Sequence, residues 1–208
     1  MNEKSTFIPI GPTTFMAPIP SILVGCYEPT IHEKPNLITI AWTGIINTHP
    51  PMLSISVRQN RLSHSIIKKS GEFTVNFVDE SLCKAMDFCG VKSGKNVDKF
   101  KELNLTPINA SPLQYAKAVA ESPAFLSCKV SDIISLGSHD LFLANIVQVH
   151  IAEKYYLKNG AIDTVSMNLV SFGHGKYQSM SDMLGFFGYS IASKKVLERR
   201  MPATKKEK

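Results

Sequence analysis

Arg58, Arg61, Ser63, His64 and Ser65 fall within one short stretch, SVRQNRLSHS, at residues 56–65. A strand-like run ends at Arg58, and a helix-like run begins at Ser63. Guanidinium groups, hydroxyls and the first amides of a helix are the donors that hold a phosphate. Each offers an N–H or O–H to the anion, and the helix dipole adds partial positive charge. The same residues also read as a solvated loop with a serine cap, and spacing alone leaves both readings open. A second cationic stretch, GVKSGKNVDKF at 90–100, sets Lys92, Ser93, Gly94 and Lys95 in a loop ahead of a short helix. It too suits an anion or is a plain exposed loop, and its glycines are not spaced as in a P-loop.

A third stretch, PNLITIAW at 35–42, reads as a β-strand behind a Pro-Asn turn. Side chains alternate across a strand, so Ile38, Ile40 and Trp42 share a large apolar face. Leu37, Thr39 and Ala41 share the other, which ends in small residues and leaves a shelf. Elsewhere the common catalytic signatures are missing. There is no G-x-G-x-x-G after a strand, no Walker A loop, no H-E-x-x-H and no G-x-S-x-G. The six histidines are scattered, and no pair of carboxylates stands out. An enzyme with these residues needs a bound cofactor for the hard chemistry.

These stretches need elements to position them. Residues 21–26, 37–42, 53–57, 72–77, 124–134 and 141–151 read as strands, with turns at 27–34, 48–51 and 137–140. Residues 63–70 read as a helix capped by Ser63 and ended by Gly71. Residues 80–89, closed by Gly90, and 97–103 read as further helices, and 180–187 is helix-like. At least six strands with short helices between them, and no βαβ rhythm, predict a mainly β fold: an antiparallel barrel.

The composition, 44% hydrophobic and 19% charged, is that of a globular chain. One domain is expected over residues 1–193, with a basic, unstructured tail at 194–208. That tail carries +5 of the net +6, which argues against a nucleic-acid surface on the body, as does the lack of interleaved aromatic and basic residues. No apolar run approaches the ~20 residues of a membrane-spanning helix. The start, MNEKSTFIPIGP, has no apolar signal core. Cys26, Cys83, Cys89 and Cys128 make no C-x-x-C pair, so no metal site or dithiol is expected, and they read as packed thiols in a reducing cytoplasm.

Taken in order, PNLITIAW, HPPMLSISV, RLSHSIIKKSGEFTVN and GVKSGKNVDKF resemble the flavin reductase-like family with an FMN-binding split barrel, in its flavoredoxin-like branch. The turn GSHDLFLANI is similar to that family's Gly-Asp-His turn, with Ser138 in place of the acid. NLVSFGHGKYQSMSDMLGFFGYS is similar to its C-terminal segment. The resemblance spans about residues 15–190.

It implies a six-stranded antiparallel split barrel that forms a homodimer, with FMN near the interface and NAD(P)H or a redox partner as electron source. The cofactor-binding positions it implies are Asn36, Thr39, Ile40, Ala41 and Trp42 along the ring; Ser56, Arg58, Arg61, Ser63, His64, Lys92, Ser93 and Lys99 toward the phosphate; and Tyr177 closing the pocket. Under this reading the shelf at Thr39 and Ala41 receives the flat ring, and the flavin, not a catalytic side chain, carries the chemistry. A related split-barrel oxidase and a flavin-binding or dimeric interaction module without turnover remain the alternatives.

Overall fold

The structure, a computed structural model, describes residues 6–180 and 182–201. A two-residue strand, β1 (Ile19–Pro20), leads into β2 (Ile22–Glu28), β3 (His32–Ile40), β4 (Thr43–Asn47) and β5 (Met52–Val57). After helix α1 (Leu62–Ser70) come β6 (Glu72–Phe77) and helices α2 (Cys83–Val91) and α3 (Lys99–Glu102). The small pair β7 (Pro107–Asn109) and β8 (Lys117–Val119) precedes a long hairpin of β9 (Ala124–Ser135) and β10 (Asp140–Ile151). Strands β11 (Val170–Gly173) and β12 (Lys176–Ser179) and helix α4 (Lys194–Arg200) complete the order.

The main sheet is antiparallel and runs β3-β2-β6-β9-β10-β5-β4. Its two edge strands are consecutive in the chain, separated only by Ala41 and Trp42. The edges therefore meet and the sheet curls into a barrel. At this seam the Ser56 N–H donates to the Trp42 carbonyl at 3.0 Å. The hydrogen-bond ladders give this sheet seven strands, where the sequence reading has six, because the stretch 32–47 is divided in two. The hairpin turn expected over 27–34 shrinks to 29–31, as β2 and β3 both run on into it.

Strand alternation sorts two cores. Ile22, Val24, Ile38, Ile40, Leu53, Ile55, Val57, Phe73, Val75 and Phe142 fill the barrel, and Ile66 and Ile67 of α1 pack into the same cluster. Leu23 and Leu37, on the opposite face of β2 and β3, pack against Met86, Cys89 and Phe100 from α2 and α3. Strand β2 is thus buried on both faces, which explains the unbroken apolar run of ILVGC. The thiols of Cys26, Cys89 and Cys128 are free and buried, and that of Cys83 is partly buried. Burial pushes the Cys26 thiol up to about 12, so it stays protonated.

The helix signals hold in part. Gly71 ends α1 with φ 67°, in the left-handed region where glycine is favoured, and its N–H donates to the Ile67 carbonyl at 2.9 Å. Ser63, however, does not cap α1. The cap position is Arg61, with no side-chain cap bond, because the Ser63 hydroxyl accepts from Asn36 Nδ2 at 2.8 Å. Gly90 does not close α2, which continues to Val91. A Cβ on Gly90 would sit 3.3 Å from the Thr39 Cβ, so glycine lets the helix lie close on β3. No helix forms over 180–187 among the described residues. Leu184 and Phe187 are exposed, and a short segment without a packed face cannot hold a helix. The basic tail, expected to be unstructured, instead begins with α4, and residues 202–208 lie outside the described residues. No helix among the described residues is long and apolar enough to cross a membrane.

Thr39 is therefore small for a reason the sequence reading did not give. Its Oγ1 donates to the Met86 carbonyl of α2, and its Cβ faces Gly90. The helix occupies this part of the shelf. Thr39→Val keeps the shape and removes the hydrogen bond. It should lower the unfolding free energy by about 1 kcal/mol, read from urea denaturation.

Candidate functional site

An open pocket of about 220 Å³ lies at the barrel seam, lined by Ile38, Thr39, Ile40, Ala41, Trp42, Ser56, Arg58, Arg61 and His139. Strand β3 supplies one wall as it ends. Strand β5 supplies the next: Leu53, Ile55 and Val57 turn inward, so Ser54 and Ser56 face out. Asp140 pairs with Val57 across the β10–β5 ladder, so His139 and Arg58 are the residues just beyond that pair.

Trp42 is the only tryptophan and is 43% exposed, so it is not a core residue. Its ring lies 4.7 Å from that of His139, tilted by 46°. Ser138 Oγ lies 2.9 Å from His139 Nδ1. Burial of the imidazole, helped by the Arg58 charge, lowers its pKa below the ordinary histidine value, so the ring is neutral at pH 7.

The positive charge in the pocket comes from two arginines. Arg61 Nη2 donates to the Gly90 carbonyl at 3.2 Å, which ties the start of α1 to the end of α2. Among the described residues the ion pairs are Lys34–Asp98 and His64–Asp140, so neither Arg58 nor Arg61 has a carboxylate partner. The N-terminus of α1 also lacks a side-chain cap; in its first turn the His64 N–H donates to the Arg61 carbonyl at 3.0 Å. Two guanidinium groups without a carboxylate partner among the described residues, beside a helix start with no side-chain cap, are a donor set that could hold an anion, next to a strand edge and an aromatic pair. That donor set fits a ligand with a planar heteroaromatic end and a phosphate end.

Of the fourteen residues expected from sequence, seven line this pocket: Thr39, Ile40, Ala41, Trp42, Ser56, Arg58 and Arg61. The other seven do not line it. Asn36 is buried and bonded to Ser63, and Gly94 packs on the Asn36 side chain so tightly that a Cβ there would lie 2.1 Å from its Oδ1. His64 is buried against Asp140, with 2.8 Å between His64 Nε2 and Asp140 Oδ2. Lys99 is buried too. Its ammonium donates to the carbonyls of Leu37 (2.6 Å) and Cys89 (2.8 Å) and so points into the packing of α2 and α3 on β3. Burial pulls its pKa below the ordinary lysine value. Lys92 is the exposed residue after α2, and Ser93 Oγ accepts from the Lys95 N–H at 3.3 Å. The Tyr177 hydroxyl donates to Asp87 at 2.8 Å.

Sequence reasoning missed His139 as a lining residue, treating it as a turn residue. Only the register of β10 on β5 brings it to Arg58. It also missed Gln59 and Asp140. Gln59 Nε2 donates to Asp140 Oδ1 at 2.8 Å. The hydrogen bonds from Gln59 and then His64 hold the Asp140 carboxyl below the usual carboxylate range.

A larger cavity, about 420 Å³, opens beside β1, β4 and β11 and is lined mainly by Pro, Ile, Leu, Val, Phe and Met. Its hydroxyls are engaged: Ser21 with Met86 Sδ, Thr43 with the Ser54 carbonyl, Ser171 with the Gln178 carbonyl. With no charged group in its lining it does not suit an anionic ligand.

Known proteins share this fold. A family model described as a flavin reductase like domain matches residues 17–166. The flavoredoxin of Desulfovibrio vulgaris (Miyazaki F) superposes with a TM-score of 0.83 at 27% identity, covering 90% of this chain and all of that one. A protein of Archaeoglobus fulgidus is 30% identical over 131 residues, 63% of this chain and 72% of its own. The reductase component of a 4-nitrophenol 4-monooxygenase/4-nitrocatechol 2-monooxygenase from Rhodococcus opacus is 28% identical over 108 residues, 52% of this chain and 54% of its own. The chain belongs to the flavin reductase-like family, and its barrel is that family's split barrel.

Proposed function

We propose that the chain is an FMN-binding oxidoreductase that takes electrons from NAD(P)H or a redox partner and passes them to free flavin, ferric iron or another acceptor. The observation that carries this reading is the pairing, in one pocket, of unpaired Arg58 and Arg61 with the exposed strand end at Ala41–Trp42. A bound flavin supplies the capacity to accept a hydride and to release electrons singly or in pairs.

The chain's own residues bind and orient. Arg58, Arg61 and the first amides of α1 hold the phosphate. The backbone from Ile38 to Trp42 offers N–H and C=O groups to a ring edge, and Ala41 leaves room for it. Trp42 and neutral His139 wall the open side without adding charge. No carboxylate lines the pocket, and hydride transfer to a flavin needs no catalytic acid there. At about 220 Å³ the pocket is smaller than the ~300–1,000 Å³ of a closed ligand site. A homodimer in which the second copy completes the wall belongs to the same reading. Family membership and the names of the similar proteins support a flavin; the phosphate cradle supports FMN over riboflavin.

The test is the visible spectrum. Purified protein, or protein mixed with FMN and desalted, should carry a flavin band that bleaches on anaerobic addition of NADH or NADPH. A chain that takes up no FMN overturns the cofactor reading. One that keeps FMN but is reduced by neither nucleotide takes its electrons from a redox partner, or is a binding module if no carrier reduces it.

A further inference from the structure

We propose that Asp140 is the positioning residue of this pocket: one buried carboxylate clasps the Arg58–Arg61 turn to the turn that carries His139, and so sets their side chains in register. The ligand named below rests on the FMN reading, but the clasp belongs to the chain without any ligand.

Asp140 is 6% exposed and is the first residue of β10. Its Oδ1 accepts from Gln59 Nε2, and its Oδ2 lies 2.8 Å from His64 Nε2. Gln59 follows Arg58 directly. His64 is in the first turn of α1, where its backbone N–H donates to the Arg61 carbonyl at 3.0 Å. The Arg61 N–H in turn donates to the Arg58 carbonyl at 3.1 Å. The carboxylate therefore grips the stretch 58–64 at both ends. His139 is the residue before Asp140, so the same grip fixes the backbone that holds the imidazole over Trp42. Phe142 packs edge-on against the His64 ring, 5.3 Å between centroids, which keeps that arm from swinging away.

Burying a carboxylate is costly unless its acceptors are filled, and an apolar residue would serve packing at least as well here. The acid adds something packing does not: two directional bonds that tie the start of β10 to the stretch leading into α1. Those elements carry the cations and the ring that line the pocket. A constellation of side chains on turns needs such a supporting bond, since loop positions otherwise wander.

The experiment compares Gln59→Ala and Asp140→Asn with the wild-type chain. Gln59 is exposed, so its truncation leaves the core intact. An amide at 140 keeps the shape but offers one acceptor face in place of two, and no charge. Each variant is expected to raise the Kd for FMN about tenfold, the loss of part of a charge-assisted contact, and to weaken riboflavin less than FMN. The Gln59→Ala effect should vanish in an Arg58→Ala background, since positioning matters only while the positioned group is present; a general loss of stability would add instead.

Trp42 emission reads the clasp with no flavin at all. It is the sole tryptophan, and release of His139 in Asp140→Asn should change its intensity or wavelength. Equal weakening of FMN and riboflavin, additive effects with Arg58→Ala, or unchanged Trp42 emission in folded Asp140→Asn overturns the proposal. If the wild-type chain binds neither flavin, the cofactor reading fails and the emission result alone decides the clasp.

Discussion

Replacing Arg58 and Arg61 together by alanine should weaken FMN binding by about a hundredfold or more and leave riboflavin nearly untouched. The two ligands share the ring and differ in the phosphate, so their ratio isolates the anion end of the site. A hydrogen bond to a charged group contributes ~1.5–3 kcal/mol, and each 1.4 kcal/mol is a factor of ten in affinity. Two such contacts exceed a hundredfold even at the low end of that range. Neither guanidinium has a carboxylate partner among the described residues, so the loss in binding is not offset by freeing an acid.

The variants differ in their effect on the fold. Arg58 is exposed, so Arg58→Ala is nearly neutral in stability. Arg61→Ala also removes the bond to the Gly90 carbonyl, a net loss of ~0.5–1.5 kcal/mol. Fluorescence titration of both flavins, with denaturation curves for each variant, separates the two effects. Equal weakening of FMN and riboflavin would move the phosphate away from Arg58 and Arg61.

Much of the scaffold was legible because period and punctuation are local. The alternation of LSISV gave β5 and told which residues face in, and Gly71 marked the end of α1. Arg58 and Arg61 were legible as candidate anion donors because their whole context lies within a few residues, and both line the pocket. What failed had partners far off in the chain. Thr39 is matched by Met86, 47 residues on, and His64 by Asp140, 76 residues on. Strand alternation says that Thr39 points away from the barrel, but not that a helix lies there.

Lys99 shows the same limit in another form. A lysine in a cationic loop reads as solvated or phosphate-bound, yet this one caps the carbonyls of Leu37 and Cys89. Only the docking of α3 on β3 decides between those fates. His139 lay in a turn whose pattern departs from its family at Ser138, and nothing near it in sequence pointed to Trp42. The candidate site is therefore local at Arg58 and Arg61 and tertiary at Trp42 and His139.

Ala41→Leu tests the ring end, and it should abolish flavin binding at concentrations that saturate the wild-type chain. Of the two small residues on that face of the strand, Thr39 owes its size to α2, which leaves Ala41 as the position whose smallness the pocket needs. Ala41 is partly exposed, lies at the seam between β3 and β4, and lines the pocket beside Trp42. Its carbonyl accepts from the Thr43 N–H at 3.2 Å, so the backbone bends sharply there and presents its edge. An isobutyl group projecting from that bend would stand where a flat ring must approach the edge. Because the added group meets open space and not packed core, the cost to stability should stay within ~0.5 kcal/mol. The contrast is Thr39→Leu, whose extra atoms meet α2 at Gly90 and should destabilise the fold by ~1–3 kcal/mol, as overpacking does. A size series at position 41, Gly, Ala, Val, Leu, should then give falling flavin affinity at nearly constant midpoint of unfolding. Affinity that ignores the series would place the ring elsewhere. A midpoint that falls in step with size would make Ala41 a packing residue like its neighbour Thr39, and the pocket at the seam would lose its claim on the flavin.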